Sequence, residues 1–269
     1  MLKDITFGQF FESSSPIHRM DPRSKILLLI LNIIFLFLTK NVFSLIIPAV
    51  LTIVIIIISG VPVKMFIKNI KTILPIIIFT TLINLFYGSA GTVLIAFWHF
   101  TITTSGVMRA VYMASRIILL ILQSSVLTYT TTPNDITDGI ESLLSFLKVF
   151  GLGTAVHMLA MMMTIALRFI PTLVEETEKI MSAQKARGAD LENGKLFDRI
   201  RALIPVLIPL LISSVRRAYE LAEAMECRCY NGGVGRVRMK QMKYSLLDLW
   251  AAVVCVAFSG GVIALNILL

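Results

Sequence analysis

Acidic residues are missing from a long stretch of this 269-residue sequence: none occurs between Asp21 and Asp135. Charge of either sign is sparse, at 15% of residues, where soluble domains carry about a quarter. Hydrophobic residues make up 57% and stand in long uninterrupted runs, which excludes an ordinary soluble domain and places the chain in a bilayer. Cysteine is scarce. Cys227, Cys229 and Cys255 supply neither a disulfide framework nor a four-ligand zinc spacing, so no metal site is expected. The three histidines, His18, His99 and His157, are far apart, and neither HExxH nor GxSxG occurs, which removes the common hydrolase signatures. The stretch Gly188 to Gly194-Lys195 has five residues between its glycines, with Leu196 next; a phosphate-binding P-loop needs four, followed by Ser or Thr. An enzyme is therefore not expected, and no cofactor is expected on this chain.

What is present is apolar and basic. The formal net charge is +9, which in a soluble protein would suggest nucleic acid. Here the basic residues flank apolar runs and share their segments with acids, so no nucleic-acid partner is expected. Residues 22–40 form a first candidate span, with Arg23, Lys25 and Lys40 able to snorkel from its ends. Residues 42–59 form a second, ending at Ser59-Gly60-Val61-Pro62, and about 72–87 a third. Residues 104–130 form a fourth, and 246–268 a last, with Trp250 near the interface. Each approaches the ~20 residues that cross a ~30 Å core. The first run lacks a small-residue cleavage signal and reads as a retained anchor. None of the spans contains an acid except Asp248 at the edge of the last, which counts against a self-contained channel or secondary transporter. In the fourth span, Gly106, Ala110 and Ala114 follow a spacing that permits close helix packing. Arg109 is expected near the outer interface and Arg116 in the bundle interior.

Lysine and arginine set the orientation. With the N terminus cytoplasmic, the loop bearing Lys64, Lys68 and Lys71 returns inside, while 88–103 has no Lys or Arg. Residues 155–173 and 202–215 are apolar too, but if both crossed, the loop between them would carry Lys179, Lys185, Arg187, Lys195, Arg199 and Arg201 outside. The reading is thus an all-α integral membrane protein with about five transmembrane helices plus a cytoplasmic coupling domain of long amphipathic helices. Residues 1–21 form a cytoplasmic N-terminal segment, 22–130 four membrane helices, 131–244 the cytoplasmic domain and 245–269 the final membrane helix. The Gly232-Gly233-Val234-Gly235 run reads as a flexible connection into that last helix.

Within 131–244, two segments are built alike. Both begin apolar, turn charged, and end on an arginine between small residues: Ala186-Arg187-Gly188 and Cys227-Arg228-Cys229. The two arginines lie 41 residues apart, and Ala183 matches Ala224 in that register. At 1.5 Å per residue each helix reaches ~50 Å. A C-terminal cation suits the helix dipole, which would account for one such arginine, and Gly188 is a normal helix stop. Two matched endings point instead to two similar sockets.

These features resemble the T components (the EcfT/CbiQ family) of energy-coupling-factor transporters. The resemblance rests on Ser15-Pro16-Ile17-His18-Arg19-Met20-Asp21-Pro22-Arg23-Ser24-Lys25, on Ala186-Arg187-Gly188, and on Ala224-Met225-Glu226-Cys227-Arg228-Cys229-Tyr230. It runs the length of the chain; the second tip has Cys where Ala-Arg-Gly is a common form. The resemblance implies a bacterial plasma-membrane complex with two ABC-type ATPase subunits and a small membrane substrate-binding S component, several of which can share one T component. ATP and Mg would sit on the partner subunits, the X-Arg-X tips would dock into the ATPases, and the cargo would be vitamins or other micronutrients. A dedicated cobalt or nickel importer is the alternative. Met158, Met161, Met162 and Met163 offer a soft surface suited to S-component contact, or fill a helix interface. Ser214, Ala218 and Ala222 are candidate S-component contacts as well, and form a small-residue stripe that would let the two long helices cross closely.

Overall fold

In a computed structural model, residues 10–86, 93–97, 100–189, 196–232 and 242–268 are described. The sequence expectations about the Gly188–Lys195 spacing, His99 and the run from Gly233 fall wholly or partly outside them. Helices account for nearly all of the described residues: α1 (Pro16–Arg19), α2 (Pro22–Leu38), α3 (Ile46–Ser59), α4 (Val63–Phe86), α5 (Thr104–Thr130), α6 (Pro133–Leu143), α7 (Gly153–Ala186), α8 (Leu196–Glu226) and α9 (Leu246–Leu268). One antiparallel hairpin, β1 (Val93–Phe97) with β2 (Phe100–Thr103), joins α4 to α5. The expectation of an all-α membrane protein is met, with that hairpin as a small addition.

The chain divides into two units, one spanning Gly8–Gly139 and Gln241–Leu269, the other containing Ile140–Lys240. The boundary between the two units falls after Gly139. Residues 131–139 stay with the first unit because α6 packs back on α2: a Cβ on Gly139 would meet Ile26 at 3.1 Å and Pro22 at 3.4 Å.

In the first unit, α2, α3, α4, α5 and α9 alternate in direction. The start of α5 lies on the end of α4, where a Cβ on Gly106 would stand 2.6 Å from the Leu85 carbonyl oxygen. Gly106 and Ala110 are buried, so the small-residue spacing serves close packing as expected. At the other end of that pair, Tyr129 Oη donates to the Met65 carbonyl at 3.3 Å. Asn266, near the end of α9, donates to the Leu38 carbonyl at the end of α2. The start of α9 meets the start of α2, where the Asp21 amide donates to Asp248 at 3.0 Å. The chain therefore leaves this bundle after α5 and re-enters it at α9 on the same end.

Two cations, buried Lys25 and half-buried Arg116, lock α2 to α5. Lys25, 8% exposed, donates to the Thr130 carbonyl at 2.9 Å and to Thr131 Oγ1 at 3.2 Å, covering the C-terminal carbonyls of α5. Arg116 does the same for α2, donating to the Thr39 carbonyl at 2.7 Å while stacking over Tyr112 at 4.5 Å. A helix C terminus exposes unpaired carbonyls and a partial negative charge, so both cations have a structural use. Lys25 does not snorkel, contrary to the sequence expectation: it is drawn inward by the end of α5. Arg23 is held by Asp21 at 3.1 Å and lies 4.6 Å over the Tyr244 ring. Arg116 points inward, as expected, and Arg109 is exposed near the start of α5.

Helix lengths redistribute the candidate spans. By length and composition, Val63–Phe86, Thr104–Thr130, Gly153–Ala186, Arg201–Glu226 and Leu246–Asn266 could each cross a bilayer. The helix at 17 residues, Pro22–Leu38, and the apolar Phe43–Ser59 are shorter. Helix α4 begins at Val63 rather than near 72, so Lys64, Lys68 and Lys71 ride its first turns instead of lying in a loop.

Candidate coupling tips

The second unit is built on α7 and α8, 34 and 31 residues long, or ~51 and ~46 Å at 1.5 Å per residue. Both continue through internal prolines, Pro171 in α7 and Pro205 and Pro209 in α8.

Their ends are the same motif twice. At the end of α7, the Gly188 amide donates to the Lys185 carbonyl and the Ala189 amide to the Gln184 carbonyl, both at 3.0 Å, with Gly188 at φ +87°. At the end of α8, the Cys229 amide donates to the Glu226 carbonyl at 2.8 Å and the Tyr230 amide to the Met225 carbonyl at 3.1 Å, with Cys229 at φ +54°. Paired bonds of this kind closed by a left-handed residue make a Schellman cap. The arginine stands immediately before the left-handed residue each time, Arg187 before Gly188 and Arg228 before Cys229. Among the described residues Cys229 is the sole non-glycine at positive φ, a conformation disfavoured by ~1–2 kcal/mol for an L-residue. Ala186, Arg187, Gly188, Cys227, Arg228 and Cys229 are all exposed. Neither guanidinium has an ion-pair partner among the described residues. Among the described residues each tip is an unpaired donor fork at the end of a long helix.

The stems are joined at equivalent points. Arg217 donates to Glu176 at 2.5 Å, and Ser213 Oγ donates to the same carboxylate. Glu176 lies eleven residues before Arg187 and Arg217 eleven before Arg228, so both arms beyond the junction measure ~16 Å. Sequence reasoning missed this pair, although its separation equals the 41-residue register of the tips.

The junction overturns one expectation. Ala218 and Ala222 are exposed, and half-buried Ser214 bonds the Leu210 carbonyl of its own helix. The face of α8 turned to α7 carries Ser213, Arg217, Leu221 and Met225 instead. With Arg217 and Ser213 on Glu176 and Leu221 and Met225 on the same face, Ala218 and Ala222 point away from α7. The methionines divide similarly. Met158, Met162 and Met163 are exposed, whereas Met161 is half-buried and receives the Tyr230 hydroxyl at 3.5 Å. No cluster of three or more His, Cys, Asp or Glu side chains suited to a metal occurs among the described residues.

Comparison with known proteins adds to this geometry. A family model described as cobalt transport protein, CbiQ, matches residues 13–241. The energy-coupling factor transporter transmembrane protein EcfT of Ruminiclostridium cellulolyticum is 46% identical over 266 residues, 99% of this chain and 98% of that protein. The protein of the same name from Clostridium kluyveri is 46% identical over 253 residues, covering 94% and 93%. That from Acidaminococcus fermentans is 45% identical over 262 residues, covering 96% and 95%.

Proposed function

The chain belongs to the CbiQ family, and from that premise we propose how it works as the transmembrane T component of an energy-coupling-factor transporter: a lever that carries ATP-driven movement from two cytoplasmic ATPases to a substrate-binding membrane subunit. It is a multi-pass membrane protein and a non-catalytic subunit; ATP and Mg reside on its partners, and no cofactor binds this chain.

The observation that carries the reading is the duplicated tip. An exposed guanidinium on a Schellman-capped helix end can form two parallel bonds to a carboxylate or to carbonyls in a closed groove, a geometry lysine does not reproduce. Two such tips, at equal distances from one junction, suit two similar ATPase sockets. When the ATPases close, forces on the arms meet at Glu176–Arg217, so displacement passes along α7 and α8 to their apolar halves. Those halves bear Met158, Met162 and Met163 on α7, a soft surface for an S component, and Ser214, Ala218 and Ala222 on α8 remain open to the same partner. The fifteen Lys and Arg residues of 131–244 support a cytoplasmic location for this unit and for the N terminus. The S component then selects the cargo, a vitamin or another micronutrient. The relatives named above are called energy-coupling factor proteins, which favours this general role over a dedicated metal importer.

Arg187→Glu and Arg228→Glu are expected to block transport and to weaken ATPase retention on affinity purification, with membrane insertion intact. Undiminished ATPase recovery from both variants would refute the docking role.

A further inference from the structure

Between the Glu176–Arg217 junction and the Tyr230–Met161 contact, α7 and α8 border a cleft of about 700 Å³. Four arginines line it, Arg168, Arg216, Arg217 and Arg228, against one acid, Glu220. The lining thus carries a formal charge of +3, or +2 once Glu176 is counted against Arg217. Arg168, Arg216 and Arg228 have no ion-pair partner among the described residues. Arg168, Arg216, Arg228 and Glu220 are exposed at the cleft, so it presents an excess of positive charge to an anion arriving from outside.

The walls indicate which anion. Ile165 and Phe169 on α7 and Leu221 and Met225 on α8 are apolar. On α7 they continue into exposed Met158, Leu159 and Met162. The arginines stand where each helix changes character: Arg168 lies two turns before the Glu175-Glu176 pair, and Arg216 follows the apolar run ending at Val215. Here the apolar half of α7 runs antiparallel to the charged half of α8, so apolar surface and guanidinium groups lie side by side, which matches a molecule with acyl chains and a phosphate head; basic pockets between helices at the cytoplasmic face bind such headgroups. Planar guanidinium forks suit phosphate oxygens bidentately.

We propose that this cleft binds the phosphate of an anionic phospholipid, with Arg168 and Arg216 as its principal ligands and Glu220 limiting affinity. This rests on the proposed function, and adds to it that the apolar half of α7 lies at the cytoplasmic membrane face beside the S component.

The test uses the complete transporter complex in detergent, incubated with mixed micelles of equal phosphatidylglycerol and phosphatidylcholine, with retained lipid measured by native mass spectrometry. At least tenfold selectivity for phosphatidylglycerol is expected. Arg168→Gln/Arg216→Gln should reduce its retention about tenfold with the ATPases still bound, and Glu220→Gln should raise it severalfold. Millimolar inorganic phosphate should not displace it. Equal retention of the two lipids, an unchanged double variant, or a Glu220→Gln variant that does not gain overturns the proposal. Displacement by phosphate also overturns it, by assigning the cleft to a soluble anion. ATPase retention in Arg187→Glu and Arg228→Glu is read separately, so either reading can fail without the other.

Discussion

Replacing Gly188 by alanine tests whether the cap geometry sets each arginine tip. Gly188 sits at φ +87°, and a Cβ there would meet nothing within 4 Å, so the penalty is purely conformational. A left-handed L-residue costs ~1–2 kcal/mol, and the stiffer unfolded chain returns ~0.4–1 kcal/mol. The net is about 1 kcal/mol, roughly fivefold in a local opening equilibrium. Hydrogen exchange reads it directly. The Gly188 and Ala189 amides, bonded to the Lys185 and Gln184 carbonyls, should exchange about fivefold faster in Gly188→Ala, while the middle of α7 is unchanged. The second tip provides the opposite experiment, because Cys229 already carries the strain at φ +54°. Cys229→Gly should slow exchange of the Cys229 and Tyr230 amides by a similar factor. If the functional tip is the capped form, ATPase affinity should follow the same order, weaker in Gly188→Ala and tighter in Cys229→Gly. Unchanged exchange at both tips would mean the caps do not hold the helix ends, and the reasoning would fail.

Three further outcomes follow from the packing. Lys25→Met should cost ~1.5–3 kcal/mol through the lost charged hydrogen bonds at the end of α5, seen as a melting temperature lower by ~3–12 °C; exposed Lys40→Met is the control, and equal melting of both variants would deny the capping role. Arg116→Lys should also lower the melting temperature, since an ammonium loses the stacking on Tyr112 and the reach to the Thr39 carbonyl; melting equal to wild type would count against it. A double-mutant cycle of Glu176→Gln and Arg217→Gln should give a coupling of only ~0.5–1 kcal/mol, because the pair is partly exposed. Spin labels at 187 and 228 should nevertheless show a broader distance distribution in either variant, and an unaltered distribution would remove the junction from the lever.

Much of this was readable in the residues because each feature is local. Runs of apolar residues give the helices of the bundle, a small-residue spacing gives the close approach of α5 to α4, and the tip repeat is visible as two similar strings one register apart. Charge at the span ends was harder. Lys25 and Lys40 look alike in sequence, each beside an apolar run, yet one is buried under the carbonyls of α5 and the other is exposed. Their difference depends on which helix end is brought alongside, and no spacing within α2 encodes that. The apolar runs 155–173 and 202–215 contain Pro171, Pro205 and Pro209, and the backbone continues helically through all three.

The sequence by itself determined the class of the protein, since long apolar runs cannot be left in water, and it marked two arginine endings, since a repeat needs no neighbour to be seen. Only the tertiary structure decided how α8 is turned against α7. Helix rotation depends on the partners found across the whole interface: Glu176 meets Arg217 and Ser213 there, and Ala218 and Ala222 face outward. The same arrangement gathered Arg168, Arg216 and Arg228 around one cleft, a convergence of charge that exists only once the two helices are packed.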